Sequence, residues 1–393
     1  MKRQIVITGW QSKVLTALYE EDILCELNLE PQKSRVRVGD IYIGKVKHIV
    51  QNIQAAFVEI TPGVMGYYPL KENAVHFFVN PKKNDKIVAG DEIVVQVDKE
   101  NLKTKAWFLT GRLSFPGRYT VLTKGKAGIQ VSSKIKDKEE RSRLTEIISD
   151  RPMEGAAWMI RTEARGQSSE VIREEMDRLL VDYNGIMSTA RNRTCFTKLM
   201  SGASPYAQLI TKFAHGSDCR VTTDLSEIYE ELKANFERWG LSSEILRYYK
   251  DDAYPLIKLK GIESQIDRAL QKRVWLKSGA YLVIEPTEAL TVIDVNTGKA
   301  IGKQKMEENF FKINIEAARE VCRQLRLRNI SGIVIVDFIN MEEPEHLKAL
   351  MDILREEAAR DSIQTTVVDR TSLHLMEMTR KKVHRSLAEQ VRL

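Results

Sequence analysis

Cysteine is scarce and scattered in this chain. The four thiols, Cys25, Cys195, Cys219 and Cys322, stand far apart, and no CxxC pair occurs. A disulfide scaffold and a local cysteine zinc site are not expected, and dispersed thiols suit a reducing cytosol. Histidine is thin as well. His48, His76, His215, His346, His374 and His384 are dispersed, and nothing favours a catalytic two-histidine acid–base pair. The absence of GxSxG leaves a nucleophilic serine triad without support. No apolar run approaches the roughly 18–20 residues that span a bilayer. The N-terminus, MKRQIVITGWQSK, starts basic but continues into neither an apolar h-region nor a small-residue cleavage site. These absences together point to a cytoplasmic location without a membrane span. There is no low-complexity segment and no internal repeat.

What is present suits a folded chain of two to four domains: 393 residues, 43% of them hydrophobic and 29% charged. Sixty-one Lys plus Arg against 54 Asp plus Glu give +7, a mild surplus for this length. It fits a solvated basic surface or a polyanion partner, and only particular segments can decide.

Residues 4–9 and 13–29 read as strands joined by polar turns, followed by a basic linker, EPQKSRVRV. Over 39–100 short strands divided by Gly, Pro, Asn and Asp predict a small barrel of the OB type. Residues 101–205 alternate strand and helix, with amphipathic helices over 136–149 and 168–191. Helical stretches flank the strand CRVTTD within 206–254. In the last third, AYLVIE and ALTVIDV flank the turn Pro286-Thr287-Glu288 and predict a hairpin. A polar loop, NTGKAIGKQK, leads to a long helix over 306–328. A nearly all-apolar strand, IVIVDFI, follows and is expected to be buried. Strand, crossover helix and strand make a βαβ unit with parallel strands.

Asp294 and Asp337 stand out because each interrupts a β-branched run, TVI-Asp-V and IVIV-Asp-F. A charge so placed costs several kcal/mol unless it is paired or bound to a cation. Both fall near the C-terminal ends of strands inferred to be parallel, the edge where open α/β sheets place ligands. If the strands are neighbours, both carboxylates reach one point, a donor set suited to magnesium. The alternative is that each Asp caps a turn or pairs with an arginine. Asn296 points to the same face as Asp294 if the strand continues. Thr297, Gly298 and Lys299 follow in a loop able to approach a phosphate backbone.

In the barrel segment Phe57 is either core or a stacking surface for bases. Tyr67 suits a wet edge, and Lys45, Lys47 and Lys105 are candidate backbone contacts. Arg161 and Thr162 end the strand AAWMI. They can hold a terminal phosphate, but from the residues alone Arg161 reads first as a structural ion-pair member.

Taken together, these segments resemble the catalytic half of the ribonuclease E/G family. EALTVIDVNTG, AAREVCRQLRLRNISG and IVIVDFINM within 288–341 carry the resemblance most specifically. GIESQIDRAL, LMEMTRKK, AAFVEI with GYYPL, and MIRTEA extend it over nearly the whole chain. The resemblance implies a multi-subdomain α+β and α/β fold. Residues 1–35 plus 206–270 would form a ribonuclease-H-like subdomain. Residues 36–117 would be an S1-type OB barrel, 118–205 a sensor of the RNA 5′ end, and 271–393 a deoxyribonuclease-I-like catalytic subdomain. It implies a single catalytic Mg²⁺ on Asp294 and Asp337 supported by Asn296. It implies RNA contacts at Phe57, Tyr67 and Lys105, and a 5′-monophosphate pocket of Gly117, Val121, Arg161 and Thr162. The implied activity is endonucleolytic cleavage of single-stranded A/U-rich RNA to 5′-phosphate and 3′-hydroxyl ends, in RNA decay and in rRNA and tRNA processing.

Departures from the family pattern are informative. No CPxC-type motif follows LMEMTRKK, so a zinc-linked dimer is not expected, and any homodimer would form otherwise. Asn340 stands where aspartate is common, His374 where glycine is usual, and Tyr67 where phenylalanine is common. The alternative functional readings are a non-catalytic RNA-binding or ribosome-associated factor and a magnesium phosphodiesterase for small nucleotides.

Overall fold

The computed structural model describes residues 2–32, 36–73, 75–100, 106–125, 127–149, 155–214, 218–251, 253–298 and 306–392. The chain divides into two compact units, Ser34–Lys212 and Met1–Lys33 with Phe213–Leu393. Among the described residues no helix is long and apolar enough to cross a membrane.

The Ser34–Lys212 unit holds the barrel. Ile41–Val50, Ala55–Thr61, Val64–Pro69, Trp107–Thr110 and Glu92–Lys99 pair in that order. Pairing of Glu92–Lys99 back onto Ile41–Val50 closes the ring at five strands. Closure removes the open edges that would otherwise invite pairing with another chain. Tyr42, Val46, Val58, Ile60, Tyr68, Val95 and Leu109 fill the interior. The same unit carries a four-stranded sheet of Ser114–Pro116, Thr120–Lys124, Ala156–Ile160 and Gly128–Val131. Helices Lys138–Ser149 and Ser169–Arg191 cover it through Leu144, Ile147, Ile172 and Met176, at the helical spacing their sequences predict.

The other unit holds two sheets. In the first, Arg3–Trp10, Lys13–Glu20 and Ile23–Pro31 form an antiparallel meander. Cys219–Thr223 and Leu246–Tyr248 extend it in parallel. The last meander strand therefore reaches Pro31, into the segment read as a linker. Two-residue turns at Gln11-Ser12 and Glu21-Asp22, all four residues at positive φ, match the strand twist of tight hairpins.

The second sheet has the order Arg273–Trp275, Tyr281–Pro286, Leu290–Asn296, Gly332–Asp337, Met376–Arg380 and Thr365–Arg370. The hairpin across Pro286 and the parallel crossover through helix Met306–Leu327 are as the sequence predicts. Ile284, Ile293, Val295, Val334, Val336 and Met378 pack on Ala317, Ala318, Val321 and Leu325 of that helix and on Leu350 and Leu354 of helix Pro344–Ala359. Among the described residues only one face is covered in this way. Ile333 is 49% exposed, so IVIVDFI is not the fully buried strand expected from its composition. Alternation sends every second residue to an open face. Arg380, buried with Asp361, donates to it at 2.7 and 3.3 Å and to Asn329 Oδ1 at 2.7 Å, anchoring LMEMTRKK in the sheet.

Candidate functional site

The parallel pair of Leu290–Asn296 and Gly332–Asp337 sets Asp294 directly opposite Asp337. Both carboxylates are exposed. Neither charge is buried, so neither needs a partner or a cation to offset desolvation, contrary to the expectation from the β-branched runs. The two residues fall on the outward phase of the alternation, and their flanking β-branched residues Ile293, Val295 and Val336 point into the core. Register is what brings the acids together: adjacent strands lie about 4.8 Å apart, so facing carboxylates share one point above the sheet. Asn296 lies two residues on, along the same face, and its Nδ2 donates to Asp294 Oδ2 at 2.5 Å. That bond fixes one carboxylate oxygen.

Among the described residues no third His, Cys, Asp or Glu joins the pair to make a metal-binding cluster. Two exposed oxygen donors with open surroundings fit magnesium, which keeps several waters and takes one or two carboxylates plus substrate oxygens. They do not fit a closed structural zinc site, which needs four protein ligands. Gly298 takes φ 58°, and the carbonyl of Gly279 fills the space a Cβ would need there. The loop thus turns back against the neighbouring hairpin. Lys299 lies outside the described residues. Asn340 is exposed, three residues beyond Asp337.

In the barrel, Phe57 and Tyr67 are opposite one another, with ring centres 6.0 Å apart and edge to face. Both are half-buried on the outer surface, whereas the adjacent Tyr68 is fully buried and fills the core. The row is longer than the sequence suggested. His48 stacks on Phe57 at 4.9 Å, Phe108 meets Tyr67 at 5.0 Å, and Lys99 Nζ lies 4.4 Å from the Phe108 ring centre. All five are register partners across neighbouring strands. A mostly half-buried surface line of rings ending in a cation matches what unpaired bases need: π-faces to stack on and charge along the backbone. Lys47 is committed to Glu59 at 2.7 Å, and Lys45 is also opposite Glu59, so neither stands out as a backbone contact. Lys105 lies outside the described residues.

The four-stranded sheet gathers the remaining candidates. Arg161 Nη1 donates to the Gly117 carbonyl at 2.7 Å, and its Nε lies 3.8 Å from Glu163. Thr162 Oγ1 is 3.1 Å from Ser132 Oγ. Val121 is opposite Met159, on the face that Arg161 continues. Glu175, buried and invisible to the sequence reading, organises the turn. It accepts from the backbone N–H groups of Arg118, Tyr119 and Thr120 at 2.6–2.8 Å and from Thr120 Oγ1 at 3.0 Å. A Cβ at residue 117 would sit 2.5 Å from that carboxylate, so any larger residue must push Glu175 off its partners.

The ribonuclease E/G family profile matches residues 114–383 of this chain. The chain belongs to that family. It is 30% identical over 399 aligned positions to ribonuclease G of Escherichia coli (strain K12), covering 98% of this chain and 81% of that protein. It is 33% identical to ribonuclease G of Haemophilus influenzae, over 94% of this chain and 78% of that protein. It is 32% identical to ribonuclease E of a Nostoc species, over 99% of this chain and 57% of that protein.

Proposed function

We propose that this endoribonuclease of the ribonuclease E/G type cuts single-stranded, A/U-rich RNA with magnesium, and does so faster when the RNA carries a 5′-monophosphate. The single observation that carries the reading is the register of Asp294 on Asp337. In it, Asp294 and Asp337 hold the ion and Asn296 orients Asp294. A bound magnesium ion supplies charge neutralisation for a phosphate and acidifies water. The chain's own residues do the rest. The His48, Phe57, Tyr67, Phe108 and Lys99 row stacks splayed bases, which selects unpaired strands because paired bases present no free face. Arg161, held by the Gly117 carbonyl, and Thr162 receive a terminal phosphate through charge-assisted hydrogen bonds.

Hydrolysis by water leaves a 5′-phosphate on the downstream product and a 3′-hydroxyl on the upstream one. No 2′-hydroxyl attack takes part, so no cyclic phosphate forms. Each cut then creates the preferred 5′ end for the next, which suits RNA decay and stable-RNA processing in the cytoplasm. The subdomain reading goes with this: the closed barrel supports the S1 type, and the antiparallel meander with parallel additions supports a ribonuclease-H-like sheet.

The test is cleavage of a 3′-labelled, 5′-monophosphorylated A/U-rich RNA in magnesium against EDTA, with Asp294→Asn alongside. Internal cuts that need both magnesium and Asp294, with 5′-phosphate on the downstream fragment, establish the reading. Tight binding with intact RNA would replace it with a non-catalytic RNA-binding factor.

A further inference from the structure

The open face that carries Asp294 also carries an aromatic cluster that the proposed mechanism leaves unused. Register across four strands places Arg273, Val283, Asp294 and Asp337 in one transverse row. The next row holds Trp275, Tyr281 and Asn296. Strand alternation puts both rows on one face. The Trp275 and Tyr281 rings are 5.1 Å apart and tilted by 57°. The Arg273 guanidinium lies 4.5 Å from the Tyr281 ring centre and 5.6 Å from that of Trp275. Trp275 is nonetheless 63% exposed. Such cation–π contacts hold the rings in place without covering them.

We infer that Arg273, Trp275 and Tyr281 form a stacking subsite for a base of the RNA strand beside the cut bond; this rests on the nuclease reading above. Tyr281 is one strand from Asn296 and Trp275 two, so the platform begins about 5 Å from Asn296 and ends about 10 Å from it, in a row about 7 Å along the strands from the carboxylates. A nucleotide flanking the phosphate at Asp294 and Asp337 reaches that far. An exposed indole gives a π-face that accepts any base, and the flat guanidinium adds a phosphate partner. The chemistry is that of single-stranded nucleic acid rather than of an apolar protein contact, since an arginine and two carboxylates stand within the same two rows. Its contribution is to position the strand, not to react.

The experiment uses the full chain in two arms. In EDTA, tryptophan fluorescence is titrated with a single-stranded A/U oligoribonucleotide. Stacking on Trp275 predicts a quench that is largely lost in Trp275→Phe, a change that keeps a ring but removes the indole. In magnesium, Trp275→Ala should raise KM on the order of tenfold with little change in kcat, and Trp275→Phe should restore it. An abasic nucleotide scanned on either side of the cut should raise the wild-type KM at one position and leave Trp275→Ala unmoved there.

An unchanged KM and an unchanged abasic response in Trp275→Ala overturn the subsite while leaving the nuclease reading standing. A Trp275→Ala chain that sediments at lower mass than the wild type marks this face as a contact between copies, and overturns it also. If the wild-type chain cuts nothing, the nuclease reading fails and the titration decides alone: loss of quench in Trp275→Phe keeps base stacking here, and an equal quench in both chains overturns it.

Discussion

Asp294 and Asp337 are register partners across a parallel strand pair, and the helix that joins the two strands packs on the opposite face of the sheet. The covered face holds the strands in register while the carboxylates stay open to solvent. Replacing either acid by asparagine keeps the shape and removes a charge. The expected loss is about 4 kcal/mol of transition-state stabilisation, roughly a thousandfold in cleavage rate. RNA affinity should change little, since the stacking rows are intact. Asn296→Ala, which removes only the support to Asp294, should cost about 10–100-fold. Quench-flow cleavage beside filter binding checks this, and equal losses in rate and affinity would contradict it.

The barrel row predicts a complementary pattern. Phe57→Ala or Phe108→Ala should each weaken single-stranded RNA binding by about 1–3 kcal/mol. The fold should survive, because both rings lie on the outer surface and Tyr68 fills the interior. Affinity by anisotropy, with thermal melting as control, decides. A Phe108→Ala chain that binds normally would remove that ring from the surface.

How much of this was legible in the sequence follows from what sets each feature. Asp294 and Asp337 were readable because the hairpin turn, the helix and the apolar runs each carry a local signal, and a βαβ unit makes the strands parallel. Their facing register was not readable, since no local signal sets the stagger of a crossover. Counting by twos misses His48 and Lys99 because register shifts lie between Val46 and His48 and between Val97 and Lys99, and Phe108 lies beyond the 39–100 stretch that reads as barrel. A bulge changes the phase of alternation, so counting by twos misplaces the residues beyond it. Glu175 sits on a helix more than fifty residues from the turn it holds, and its burial is decided by tertiary packing alone.

Glu175 makes the terminal-phosphate reading separable from cutting. Its carboxylate fixes the 117–120 turn, whose Gly117 carbonyl in turn holds Arg161. Gly117→Ala places a methyl against that carboxylate and Glu175→Gln weakens its hold. Both should abolish the rate advantage of 5′-monophosphate over 5′-hydroxyl RNA and leave the 5′-hydroxyl rate unchanged. Competition between the two RNAs in one tube measures the ratio directly. An undiminished ratio would sink the assignment of this pocket.

His374 shows why glycine suits its position. Its φ is 67°, in the left-handed region, and its N–H closes a turn onto the Thr371 carbonyl at 2.9 Å. A side chain there carries strain of about 1–3 kcal/mol, partly offset by the extra freedom glycine has when unfolded. His374→Gly should therefore stabilise the chain by about 0.5–1 kcal/mol and His374→Val should destabilise it. Urea unfolding reads both, and a destabilised glycine variant would show that the imidazole makes a compensating contact.

The thiols give a pH signature of the native fold. Burial pushes Cys25 and Cys219 up to about 11 and Cys322 up to about 12, while half-buried Cys195 is raised less. Thiolate is the reactive form, so at pH 8 alkylation of the native chain should mark Cys195 first and the other three only slowly. The sign for stability follows from proton counting. The unfolded chain loses these protons near pH 8.5–9, whereas the native chain keeps them until about 11 to 12. Between those limits the unfolded state binds fewer protons, and stability falls as pH rises. Serine at Cys322 would remove its share of that slope. The measurement is urea midpoint against pH from 8 to 11, wild type beside Cys322→Ser. Parallel slopes in the two chains would mean that the Cys322 thiol ionises in the native fold as readily as in the unfolded chain.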